Sequence, residues 1–176
     1  MTNMTNKRKS VRIGALALSI ATAVALPATA NEWRAWEGQA EFAPLAIYTD
    51  GSDTQAALLT CDAKGMLSAM ISLQPASLPE QLAKNAPYSR SESATVMVGS
   101  ASPVETTVRF IPAIDAIESR SHEVAAKVFN AAVLGEPLKM TIQRAGNVDT
   151  VLPEPNEVFK AFAKTCQKVR DARTKS

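Results

Sequence analysis

The alternation of apolar and polar positions predicts a chain built mainly of short strands. Met66 to Leu73 is the cleanest case. Leu67, Ala69, Ile71 and Leu73 fall on one side and Ser68 and Ser72 on the other, the signature of a strand with one buried face. Leu138 to Gln143 alternates without a break, and Ala145-Gly146-Asn147 predicts a turn into a partner strand from Val148 to Leu152. Leu45 to Thr49, Gln55 to Cys61, Ala94 to Gly99 and Val104 to Ile111 read as further strands. Asp50-Gly51-Ser52-Asp53 and Asp62-Ala63-Lys64-Gly65 are turns by composition, the second with glycine where a hairpin needs positive φ.

Helical periods are rarer. Val124, Val128 and Phe129 predict a helix that begins near Ser119–Ser121, where a serine can cap free amides, and stops at Gly135. Ile114 to Ile117 fits either a short strand or the opening of that helix. Near the C-terminus Phe159, Phe162, Ala163, Cys166 and Val169 form an apolar stripe opposite Lys160, Lys164, Gln167 and Lys168. That stripe predicts a helix with Pro155 in its first turn and a frayed tail from Arg173. Gln74 to Glu92 holds three prolines and is the least organised stretch, with one short helix expected over Leu78–Asn85. Runs of strands with few helices argue against a βαβ architecture. The expectation is a single α+β domain over residues 44–173, an antiparallel sheet of about six to eight strands with two packed helices and one disulfide.

Residues 1–30 belong to a different class. Lys7, Arg8, Lys9 and Arg12 form a positive head, Ile13 to Leu26 is apolar, and Ala28-Thr29-Ala30 suits signal peptidase. The apolar run is short for a membrane span. The pattern predicts a cleaved signal peptide, a periplasmic or secreted protein, and no transmembrane segment after cleavage. Charge changes meaning accordingly. The full chain is net +2, with 19 basic and 17 acidic residues, but four of the basic ones lie in the leader. The remainder is slightly acidic, which argues against a nucleic-acid partner.

Two cysteines in an exported chain predict one disulfide, Cys61 to Cys166, since that compartment is oxidising. For so long a loop the chain-entropy account gives about 4–5 kcal/mol as an upper expectation. A catalytic or metal-binding thiol is the competing reading, without CxxC spacing or a neighbouring histidine to support it. The single histidine, His122, falls at a predicted helix start. It excludes the usual multi-histidine zinc sites, and no nucleophile elbow accompanies it. No phosphate-cradling glycine loop is present. The sequence therefore nominates no catalytic residue, no metal ligand and no cofactor.

Surface candidates are aromatic. Trp33 and Trp36 lie in residues 31–43, read as a tether that packs the N-terminus onto the domain. If that segment is helical, their spacing puts both rings on one face, and an aromatic binding lip is the sharper alternative. Tyr88 sits in the Gln74–Glu92 loop, the other candidate for contact with an envelope protein.

Leu59-Thr60-Cys61-Asp62, Gly65-Met66-Leu67, Gly135-Glu136-Pro137-Leu138 and Leu152-Pro153 through Phe159 and Phe162 to Cys166 form a pattern over Gln55–Val169. It resembles small exported proteobacterial proteins such as the invasion-associated locus B group and periplasmic accessory proteins of type VI secretion. The resemblance implies a non-enzymatic exported domain in which an early strand cysteine pairs with one in a terminal helix. The functional expectation is a binding or accessory module. A small periplasmic hydrolase, or an inhibitor of a cell-wall hydrolase, is the contrasting one.

Overall fold

A computed structural model describes residues 31–37, 45–50, 54–84, 86 and 88–174; the expected leader, most of the Asp50–Asp53 turn and residues 175–176 lie outside them. Among the described residues nine strands form one antiparallel sheet, β1 (Glu32–Ala35), β2 (Leu45–Asp50), β3 (Gln55–Cys61), β4 (Leu67–Pro75), β5 (Arg90–Val98), β6 (Val104–Ile111), β7 (Ala116–Ser119), β8 (Leu138–Ile142) and β9 (Gly146–Thr150), and three helices accompany them, α1 (Leu78–Leu82), α2 (His122–Leu134) and α3 (Glu157–Thr174). The strands lie in the order β1-β2-β3-β4-β7-β6-β5-β8-β9. The fold is α+β with one disulfide, as the pattern predicts; β1 and β7 raise the strand number to nine.

The sheet curls around α2 and α3, and its concave face carries the main core. Ile47, Leu59, Ile71, Val96, Val108, Ile117 and Met140 meet Val124, Val128, Phe159 and Phe162 there. A smaller core lies on the opposite face, where Leu78 at the start of α1 packs with Ala46, Leu58, Met70, Ile111 and Ile114. β3 is buried on both sides, which is why its sequence is a near-continuous apolar run; β8, covered on one side, keeps the strict alternation.

Several details depart from the sequence reading. Ile114–Ile117 divides: Pro112–Ile114 is a 3-10 turn, Asp115 takes positive φ, and β7 follows as an interior strand between β4 and β6. Ser121 occupies the cap position of α2 without a side-chain cap bond, while Gly135 ends the helix in the left-handed conformation as expected. Pro155 precedes α3 rather than opening it. Asn156 caps it instead, with Oδ1 accepting the Phe159 N–H at 3.1 Å. Helix α3 continues through Thr174, past the expected fraying at Arg173. β5 begins at Arg90, inside the stretch read as loop. There Glu92 faces the core at 2 % exposure, held by Arg90 at 2.7 Å and Arg144 at 3.1 Å. Burial of a carboxylate requires such partners, which the local pattern does not reveal. None of the described helices is long and apolar enough to cross a membrane.

Candidate functional site: the clasp, the aromatic segment and the sheet seam

Cys61, the last residue of β3, and Cys166, on the buried stripe of α3, are joined: S–S is 2.05 Å and the Cα atoms are 5.9 Å apart. The bond is one of three contacts that tie this corner. Gly65, in the β3–β4 turn at φ 75°, packs directly on α3. A Cβ there would lie 2.7–2.9 Å from the Cβ, N and Cα of Arg170. Glycine is thus required both by conformation and by the closeness of the helix. At the start of α2, His122 Nδ1 accepts the Leu67 N–H at 3.2 Å. That bond places the ring proton of the neutral imidazole on Nε2.

Above the clasp, α2 and α3 enclose a cleft of about 270 Å³ with Phe129, Phe162 and Ala126 as apolar walls. His122, Asn130, Gln167 and Arg170 supply its polar lining, and Cys166 borders it. This is a donor-rich rim over an apolar floor. The only histidine is committed through one nitrogen to the backbone, and both sulfurs are committed to each other.

The tryptophans do not share a face. Trp33 lies in the edge strand β1 and Trp36 just past its end, where its N–H still bonds Ala46 O, and in extended chain positions three apart point to opposite sides. Trp33 is 1 % exposed in the main core, its ring 5.1 Å from that of Phe159. Its Nε1 donates to Pro153 O at 2.9 Å, and Asn156 Nδ2 donates to Trp33 O at 2.8 Å. Trp33 therefore offers no surface, and the expectation of an aromatic lip is corrected at that residue. Trp36 lies edge-on to Tyr48 at 5.6 Å beside the smaller core. Those two line an open groove of about 550 Å³ with Glu32, Arg34, Pro79 and Asn156. Tyr88 is 62 % exposed and is in the lining of neither cleft.

A third feature escaped the sequence reading. Where β3 meets the end of β4 the ladder is irregular: Gln55 faces Pro75, yet Ala57 faces Ile71. Side-chain hydroxyls bond the β3 amides here: Ala56 N donates to Ser72 Oγ of β4 at 2.6 Å and, on the other side, Ala57 N to Thr49 Oγ1 of β2 at 2.9 Å. The Gln55 carboxamide crosses to the outer edge of β9. It donates to Leu73 O at 2.8 Å and Asn147 O at 3.2 Å, and accepts from Asp149 N at 3.0 Å. A cleft of about 590 Å³ opens over this seam, with Leu73, Pro75, Asn147, Asp149 and Val151 in its lining. Nothing local in the sequence singles out Gln55, whose β9 partners lie more than ninety positions away.

Comparison with known proteins adds no relative: no protein-family model matches the chain, and neither a curated protein nor a solved structure matches it.

Proposed function

We propose that this chain is an exported binding or accessory module of the cell envelope, acting through surface contacts rather than by catalysis. The observation that carries the reading is the disposition of its reactive groups. Beside the cleft between α2 and α3 the two sulfurs are bonded to one another, and in its lining His122 gives Nδ1 to the Leu67 amide. What remains there is an apolar floor with amide, imidazole and guanidinium groups around it, a chemistry that holds a ligand. A catalytic base would need its acceptor nitrogen within reach of a substrate proton. The signal-like leader and the disulfide support export, since a link between residues so far apart persists in an oxidising compartment. The resemblance to small exported disulfide-linked proteins points the same way.

The test begins with recovery of the protein from the envelope. N-terminal sequencing should find Asn31 first, and thiol labelling before reduction should find neither cysteine. The recovered protein, used as bait in envelope extract, should retain a partner in stoichiometric amount. Hydrolysis of peptidoglycan or of simple esters and amides that disappears in His122→Ala would overturn the non-catalytic reading.

A further inference from the structure

The outer edge of β9 carries an inference about the kind of partner, and it rests on the binding-module reading. In a paired strand, the N–H and C=O groups of alternate residues point to opposite neighbours. Asn147 O and Asp149 N both point away from β8, toward Gln55. They receive from one carboxamide the donor and the acceptor that a single residue of an adjoining strand would supply. The primary amide of Gln55 is therefore a peptide group in miniature, seated where a tenth strand would begin. Its second N–H goes to Leu73 O, so the same cleft presents backbone acceptors from both of its walls.

The chemistry around that seat narrows the occupant. Val151 is 54 % exposed beside Leu73 and Pro75, an apolar wall at the end of the edge. Among the described residues Asp149 is the one charged residue in the lining, two positions from Val151 and therefore on the same face of the extended chain. Lys139 stands 3.7 Å from its carboxylate but outside the cleft.

We propose that the outer edge of β9 receives an extended peptide segment of a partner protein as a tenth strand, displacing the Gln55 carboxamide. The segment has a basic side chain opposite Asp149 and an apolar one, two positions away, against Val151 and Pro75. Backbone bonds supply the attachment and the two side chains the selectivity, the division of labour seen whenever a strand is added to a sheet edge.

A blocked Ser-Val-Thr-Lys-Thr peptide, titrated into isotope-labelled protein produced from the full chain, tests this by amide chemical shifts. The expected result is movement of the Asp149 and Val151 signals, with the fully N-methylated peptide inert and a version with glutamate in place of lysine weaker. Gln55→Ala removes the competing amide and should tighten binding about tenfold. Should that variant fail to fold, Gln55→Glu serves, since a carboxylate cannot donate to Asn147 O. Asp149→Pro removes an N–H that β8 does not use and should abolish binding with the fold intact, because proline is tolerated on the open side of an edge strand.

Absence of β9 shifts in both the wild type and Gln55→Ala would overturn the proposal. So would binding that survives Asp149→Pro. A hydrodynamic size that grows with protein concentration and loses that growth in Asp149→Pro would name a second copy as the occupant and overturn it as well. Envelope capture undiminished by Asp149→Pro would remove the edge while leaving the binding-module reading in place. Peptide binding in a chain that is never exported would do the reverse.

Discussion

Two corners of this molecule join distant parts of the chain by opposite means. At one, β3, the β3–β4 turn, α2 and α3 meet around a covalent bond, a glycine with no room for a side chain and a ring-to-backbone hydrogen bond. At the other, the Gln55 carboxamide bridges β9 and the irregular end of β4, and hydroxyls of Ser72 on β4 and Thr49 on β2 bond the neighbouring β3 amides. The first corner resists opening because its parts fit in only one way. The second is held by exchangeable hydrogen bonds that solvent or another peptide can replace with little net loss.

That contrast predicts a descending series of effects. Replacing both cysteines, Cys61→Ser with Cys166→Ser, should lower the unfolding free energy by about 4 kcal/mol in denaturant titration. A midpoint equal to that of the wild type would dissolve the distinction between the corners. Gly65→Ala should cost about 3 kcal/mol, from a left-handed conformation forced on alanine and from contact with the α3 backbone. Because glycine and disulfide share one contact surface, the combined variant should lose less than the sum, and strict additivity would show that they act separately. His122→Ala strands the Leu67 N–H and should cost about 1–2 kcal/mol. Its signature is faster hydrogen exchange at Leu67 with β9 unchanged. Gln55→Ala should cost at most about 1 kcal/mol, with faster exchange confined to Asp149. If it proves as costly as Gly65→Ala, the seam is structural rather than open to a partner.

Legibility in the sequence follows the same division. The cysteines announce themselves by number, two and no more, beside a leader-like N-terminus. Gly65 and Gly135 mark a turn and a helix end because their conformations exclude other residues. Alternation finds β8 because one of its faces is wet, and the apolar stripe finds α3 for the same reason. Where tertiary contact decides, local pattern fails. Glu32-Trp33-Arg34-Ala35 alternates for only four positions before Trp36 breaks the pattern, too short a run to mark a strand, and becomes β1 by pairing with β2, sending Trp33 inward and Trp36 to the other side. Ala116–Ser119 has no room for a period to show between a 3-10 turn and a helix, so its role as an interior strand is invisible. Glu92 and Gln55 look like solvated positions, and each has, besides a nearer partner, one that lies about fifty or more residues distant.

The disulfide spans 105 positions and turns most of the domain into a ring. A protease that nicks an exposed turn within it, at Lys64 or Arg144, would leave both pieces on one molecule, with the packing of α2 and α3 against the sheet to hold the cut closed. A cut between Glu37 and Leu45 has no such safeguard, since β1 lies outside the ring and is retained only by its neighbours. Wherever a protease reaches the molecule, its lifetime would then depend on its first strand.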